Sequence, residues 1–220
     1  MSENNVPQIL YGTAWKENQT QQHVEIALAA GFRGIDTANQ RKHYYEAAVG
    51  AALKKVFSQG QLSRTDIFLQ TKFTSISGQD QRLPYDAKAP VELQVRQSVK
   101  SSLEHLHTDY FDSYILHGPE RAKGLTSEDW AIWGTMEELY ADGVLKHIGI
   151  SNVNLDQLRI LFDKAKIKPA FVQNRCYARR GWDKEIRNYC RQKKIMYQGF
   201  SLLTANQEIF RNPGFMKIVE

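Results

Sequence analysis

A barrel of parallel strands ringed by helices, the (β/α)8 class of α/β fold, is predicted for this 220-residue chain by three observations. Short β-rich runs alternate with longer helical patterns along its length, which implies a parallel sheet with the helices outside it. The first strand leads into Tyr11-Gly12-Thr13-Ala14-Trp15. That is not the G-x-G-x-x-G expected of the rival architecture, an open doubly wound sheet. Seven βα units are readable, and a complete barrel of eight takes about 250 residues.

Runs rich in Ile, Val, Phe and Tyr read as strands at Gln8–Tyr11, Arg33–Thr37, Ile67–Phe73, Tyr110–Leu116, Leu145–Ser151, Ala170–Gln173 and Ile195–Leu202. Strict polar–apolar alternation is weak in them, as in strands buried on both faces. Thr20–Ala30 carries Val24, Ala27 and Leu28 on one helical face and stops at Gly31, a C-terminal capping glycine. Tyr45–Phe57 carries Val49, Leu53 and Val56. Val91–Leu106 repeats Val91, Val95, Val99, Leu103 and Leu106 after Pro90, which suits a first turn. Thr126 with Asp129, and Asn154 with Gln157, read as capping boxes opening two further helices. The first of these runs through Trp133, Met136 and Leu139 to Gly143, and the second through Leu158, Leu161 and Phe162. Asp183–Lys193 is a sixth helix, and the chain ends inside what reads as a seventh, near Met216–Glu220. The polar stretch Ser75–Pro90 is an excursion rather than a linker, so residues 1–220 read as one domain.

Apolar residues make up 42% and charged residues 24%, which excludes a mainly disordered, collagen-like or coiled-coil chain. The net charge of +5 comes from scattered Lys and Arg rather than a patch, which argues against nucleic acid as a partner. Cys176 and Cys190 make neither a disulfide framework nor a metal motif. The polar Met1–Gln8 has no signal-peptide core, and no run of apolar residues is long enough to span a bilayer. A reducing, cytoplasmic setting with no membrane partner is therefore the expectation.

In a barrel, reactive groups gather at the C-terminal ends of strands. Here the second strand ends at Asp36, the third at Lys72 and the fourth at His117. The fifth ends at Ser151-Asn152, the sixth at Gln173-Asn174 and the seventh at Phe200-Ser201. Each has an ordinary structural reading alone: Asp36 as a cap, Lys72 as a solvated charge, His117 as a turn residue before Gly118-Pro119. Together they place an acid, an ammonium and an imidazole around one mouth. A buried Asp beside a Lys holds the ammonium, and the ammonium favours the anion of a nearby phenol and lowers its pKa. Such a tyrosine, Tyr44 or Tyr45 from the loop after Asp36, can protonate a developing alkoxide. Trp15 is a candidate wall of the substrate pocket, shared with His117. A metal-dependent hydrolase using Asp36 and His117 as ligands is the weaker alternative, because no strand ends in His-x-His.

These residues resemble the aldo-keto reductase family. The likeness rests on Gly34-Ile-Asp-Thr-Ala38, Glu46-Ala-Ala-Val-Gly-Ala-Ala-Leu53, Gln70-Thr-Lys-Phe73 and Asp109-Tyr-Phe-Asp-Ser-Tyr-Ile-Leu-His117. It continues in Gly143-Val-Leu-Lys-His-Ile-Gly-Ile-Ser-Asn152 and Pro169-Ala-Phe-Val-Gln173. The resemblance implies a (β/α)8 barrel that reduces aldehydes and ketones with a nicotinamide cofactor, NADP(H) ahead of NAD(H). It implies a catalytic set of Asp36, Lys72, His117 and a tyrosine. Ser151, Asn152 and Gln173 match the residues that hold the nicotinamide carboxamide. Phe200 stands where the family has a stacking tyrosine, and Gly12, Thr13, Asp36 and Ser201 complete the cofactor set. The loop Asn39–Glu46 is longer than the family's pattern, and counting back from Glu46 lands on His43. Tyr44 is taken as the acid, ahead of Tyr45, which opens the next helix. Arg41 and Lys42 read as a solvated basic loop, with guidance of an anionic substrate as the other reading. The family's eighth strand and the segment gripping the adenosine 2′-phosphate have no counterpart in the sequence. The expectation is either a piece of a longer protein or a short form with weakened cofactor affinity. A non-catalytic barrel that binds a cofactor or a protein partner is the competing function.

Overall fold

Seven strands run parallel and pair in the order in which the chain visits them, in a computed structural model that describes residues 6–219. Met1–Asn5 and Glu220, at the ends of two of the readings above, lie outside the described residues. The strands are β1 (Tyr11–Gly12), β2 (Gly34–Asp36), β3 (Phe68–Phe73), β4 (Ser113–Leu116), β5 (Ile148–Ser151), β6 (Phe171–Arg175) and β7 (Met196–Phe200). Between them lie α1 (Thr20–Ala29), α2 (Glu46–Ser58), α3 (Val91–Leu106), α4 (Ser127–Ala141), α5 (Leu155–Lys164) and α6 (Lys184–Lys193). After β7 come two short helices, α7 (Gln207–Phe210) and α8 (Pro213–Val219).

The helices match their predicted spans to within a residue or so, and α3 matches at both ends. Both capping boxes form: Thr126 Oγ1 accepts from Asp129 N at 3.1 Å, and Asn154 Oδ1 from Gln157 N at 2.9 Å. Several strands differ from expectation, each for a local reason. Of the predicted first strand only Tyr11 pairs, joined by Gly12, and Ile9 is exposed. β1 has a neighbour on one side only, so nothing draws the residues before Tyr11 into a ladder. β2 is shorter than predicted by one residue at each end. The fourth run starts late because Phe111 makes a lone bridge to Leu145, and the Asp112 carboxylate then replaces a ladder partner by accepting from Leu69 N at 3.0 Å. β5 accordingly begins at Ile148 rather than Leu145. β6 extends two residues further than predicted because its ladder with β7 runs on to Arg175 opposite Phe200. β7 stops at Phe200 because Ser201 takes a left-handed φ of 58°.

The sheet curls until its third strand meets its seventh. Gln70 on β3 and Gln198 on β7 exchange two amide hydrogen bonds across the interior, at 2.9 and 3.0 Å. Strand residues alternate between the interior and the helices. On β3, Leu69 and Phe73 face outward into the core beneath the helices, while Phe68 belongs to a separate interior cluster. That cluster, Phe68, Ile115 and Phe171 with Leu10 and Met196, plugs the N-terminal end of the barrel. Glycines make room for it: a Cβ on Gly34 would lie 2.3 Å from Leu10 Cδ2, and one on Gly149 2.6 Å from Ile115 Cδ1. One step along each strand the interior turns polar. The alternation absent from polarity is therefore present as layering, with an apolar floor below a hydrogen-bonded layer. The two cysteines are buried and free, and no described helix is long and apolar enough to cross a membrane.

Candidate active site

Above the polar layer lies a cavity of about 1170 Å³, lined by residues from the C-terminal ends of the strands and the loops that follow them. Asp36, at the tip of β2, anchors it. Its Oδ1 accepts from Lys72 Nζ at 2.7 Å, from Gln70 Nε2 at 2.7 Å and from Gln173 Nε2 at 3.2 Å. Lys72 is 1% exposed, and its ammonium also donates to the Thr37 carbonyl at 2.7 Å. Burial pulls the Lys72 pKa down, but the carboxylate of Asp36, with help from Tyr44 and Glu46, outweighs it, and the net displacement is upward. The ammonium therefore stays charged inside the protein, as a buried charge must when it is paired.

Tyr44 closes the set. The loop after Asp36 is pinned by Tyr44 N donating to the Gln40 carbonyl at 3.0 Å and by Gln40 Nε2 donating to the Gly78 carbonyl at 2.7 Å. The Tyr44 ring lies 5.2 Å from Lys72 Nζ and 6.0 Å, edge-on, from the His117 ring. The expectation of a lowered phenol pKa is corrected. Desolvation dominates and raises it, the ammonium of Lys72 opposes this, and Asp36 adds to the rise. The phenol is consequently protonated at neutral pH. His117 Nδ1 lies 2.6 Å from Thr74 Oγ1. Burial, then the positive charge of Lys72 and the neighbouring His43, depress the imidazole pKa to about 3, so the ring is neutral.

The other sequence-derived residues divide. Gly12, Ser151, Asn152, Gln173, Phe200 and Ser201 all line the cavity, as does Trp15. Asn152 holds a left-handed φ of 52°, and its Nδ2 donates to the His117 carbonyl at 2.8 Å. Ser151 Oγ donates to the Gln173 carbonyl at 2.7 Å. Thr13 differs from these: it is fully buried and not among the lining residues, with N and Oγ1 both on the Asp36 carbonyl at 3.0 Å, which joins β1 to β2. His43, where counting back from Glu46 lands, turns instead to Trp15, ring centroids 4.0 Å apart, at the mouth. Tyr45 precedes α2 with the Arg41 guanidinium 4.1 Å over its ring, so it stands apart from the Lys72 ammonium. Arg41 also pairs with Glu17 at 3.2 Å. Among the described residues no cluster of three or more His, Cys, Asp or Glu is placed to hold a metal ion.

Sequence reasoning missed Gln70, Thr74, Gln198 and Arg175. A period-2 count would have found the face of two of them, since Gln70, Lys72 and Thr74 occupy alternate positions. Their partners lie far away in sequence and leave no local signal.

A buried carboxylate–ammonium pair, a protonated phenol and a neutral imidazole at the rim define the class: a βα barrel with ionisable groups clustered at the strand ends. The profile of the Aldo/keto reductase family matches residues 8–206, and the chain belongs to that family. It is 30% identical to prostaglandin-E(2) 9-reductase of Oryctolagus cuniculus, over 92% of this chain and 65% of that protein. It is also 30% identical to glyoxal reductase of Bacillus subtilis (strain 168), over 86% of this chain and 60% of that protein. The chain thus spans less than two thirds of the length of these curated relatives. The aldose reductase of Schistosoma japonicum shares the fold with a TM-score of 0.80 at 23% identity, covering 97% of this chain and 70% of that one. An aldo-keto reductase solved in complex with NADPH superposes with a TM-score of 0.72 at 22% identity, over 90% of this chain and 61% of that one.

Proposed function

We propose that this chain carries the reaction site of an NADP(H)-dependent carbonyl reductase acting on aldehydes or ketones. One observation carries the reading: Tyr44, at the cavity with Asp36 and His117, stands beside a buried ammonium held 2.7 Å from the Asp36 carboxylate, with a neutral imidazole at its edge. Family membership supports it, and the NADPH in a structure of the same fold supports the choice of cofactor. The relatives' names span glyoxal and a prostaglandin, so the proposal is made for carbonyl chemistry and small-molecule substrates, not for one substrate.

The cavity suits a nicotinamide. Gln173 spends its NH₂ on Asp36 and Gln198, and its Oε1 has no partner among the described residues. That free acceptor matches the amide hydrogens of a carboxamide. Asn152 and Ser151 supply further polar atoms beside it, and the half-buried Phe200 ring offers a stacking face. When bound, the dihydronicotinamide supplies the hydride. His117 and Tyr44 orient the carbonyl oxygen by hydrogen bonding. Tyr44 Oη passes its proton to that oxygen as negative charge develops there. Lys72 stabilises the phenolate left behind, and Asp36 keeps the ammonium in place. Trp15 screens the mouth from water. No observation favours the non-catalytic alternative.

The test is Tyr44→Phe. Reduction of a reactive aldehyde should fall by about 10²–10⁴-fold, the usual contribution of a positioned acid. NADPH binding, followed by fluorescence of the four tryptophans, should be unchanged. Full activity in the Phe variant would remove Tyr44 from the mechanism.

A further inference from the structure

Thr74 follows Lys72 by two residues and, one residue past the end of β3, continues its inward column to the cavity. It is buried, yet it borders the cavity. Its side chain is clamped. The methyl packs where Gly78 has no Cβ, since one there would come within 2.7 Å of Thr74 Cγ2. Its carbonyl accepts from Tyr85 Oη at 2.7 Å and from Gln79 Nε2 at 3.2 Å. The hydroxyl therefore has one orientation, 2.6 Å from His117 Nδ1.

A neutral imidazole has one N–H and one acceptor nitrogen, and the partner of one nitrogen decides the tautomer. Thr74 Oγ1 has His117 Nδ1 as its one hydrogen-bond partner among the described residues. The hydroxyl hydrogen needs an acceptor, and its own carbonyl is already taken twice. Donation from Oγ1 to Nδ1 satisfies it and leaves the ring proton on Nε2. His117 is held from its backbone as well, by N donating to the Phe73 carbonyl at 2.9 Å and by its carbonyl accepting from Asn152.

We propose that Thr74 is a positioning residue that donates to His117 Nδ1, holds the Nε2–H tautomer, and so presents a hydrogen-bond donor to the substrate's carbonyl oxygen. The last clause rests on the carbonyl-reductase reading; the tautomer does not. The depressed imidazole pKa is consistent with a ring that stays neutral over the working range.

The experiment reads the ring directly. In protein labelled with ¹⁵N-histidine, long-range ¹H–¹⁵N correlation spectra at pH 7 report which nitrogen of each ring is protonated, and His117 is assigned by its disappearance in His117→Gln. The wild type should show Nε2–H with an unprotonated Nδ1. Thr74→Val keeps the shape and removes the donor, so the Nδ1–H form should appear. Thr74→Ser restores the hydroxyl and should restore the wild-type pattern. Should the Val variant not fold, Thr74→Ala replaces it, with Ser still the rescue. A wild-type ring protonated on Nδ1, or a tautomer indifferent to Val or Ala, overturns the proposal. With an aldehyde and NADPH, kcat should fall at least tenfold in Thr74→Val, with NADPH affinity unchanged and Ser recovering the rate. A ring that behaves as expected in a chain that reduces no carbonyl would sink the carbonyl-reductase reading while leaving the tautomer assignment standing.

Discussion

Gly50, in the second turn of α2, is the place where one added methyl group should do most damage. A Cβ there would lie 1.8 Å from the His105 carbonyl oxygen and 2.8 Å from its carbon, both backbone atoms of α3. Ordinary contact begins at 3.4 Å, so the helices must part by about 1.6 Å, the difference between 3.4 and 1.8. The same separation pulls His105 away from Glu46, whose buried carboxylate faces the His105 ring at 3.1 Å and accepts from Thr71 Oγ1 on its other oxygen. Overpacking of this kind costs about 1–3 kcal/mol. A buried acceptor losing its partner costs about 1–3 kcal/mol more. The helix propensity of Ala over Gly returns about 1 kcal/mol. The net expectation for Gly50→Ala is a loss of about 3 kcal/mol, which for a chain of this size lowers Tm by about 6–12 °C. Gly134 supplies the control. It lies in the middle of α4 with nothing within 4 Å of its would-be Cβ. Gly134→Ala should therefore stabilise by about 0.5–1 kcal/mol, the bare propensity gain. Urea unfolding of both variants beside the wild type decides it. A Gly50→Ala variant within about 1 kcal/mol of wild type would show that the α2–α3 contact yields freely, and the reasoning would fail.

Two further outcomes follow from the ionisable groups. The hydrogen bond to Glu46 raises the His105 pKa against the opposing effect of burial. The histidine therefore binds its proton more tightly folded than unfolded. Its contribution is fully present below the unfolded value of about 6.5 and is lost as pH rises through the raised folded value. His105→Gln should flatten that part of the stability–pH curve, as measured by urea melts between pH 5 and 9 at constant ionic strength; an unchanged curve would dissociate His105 from it. Lys72→Met strands the Asp36 carboxylate beside two neutral amides and should cost about 3–5 kcal/mol. The double variant Lys72→Met with Asp36→Leu should regain much of that loss, and a double variant as unstable as the sum of the single changes would contradict the pairing.

The candidate site residues are legible in the sequence because they sit where strands end. Asp36, Lys72 and His117 each stand at or next to the end of a β-rich run; Asp36 and His117 line one cavity with Tyr44, and Lys72 lies buried beside it on Asp36. The sequence separates Tyr44 from Tyr45 by one local fact, that Tyr45 leads into a helix; in the folded chain the Tyr44 ring lies 5.2 Å from Lys72 Nζ and the Tyr45 ring lies under the Arg41 guanidinium. The direction of the phenol's pKa was misread. A neighbouring ammonium can be inferred from residue types, but burial cannot, and burial is the larger effect here. The placement of Thr13 was not legible for a related reason: proximity to the first strand's end does not say whether a side chain faces the cavity or the adjacent strand.

Strand and helix order, both capping boxes and the polar strand ends are local properties, set by side-chain pattern and turn chemistry within a few residues. The amino-acid sequence by itself determined them. The contacts that join distant segments were decided only by the folded chain: Gln70 with Gln198, Thr74 with His117, and Glu46 with His105. A period of two says which side chains share the interior of a strand but not which strand lies opposite. That depends on how far the sheet curls, which emerges when the apolar floor and the surrounding helices are packed together.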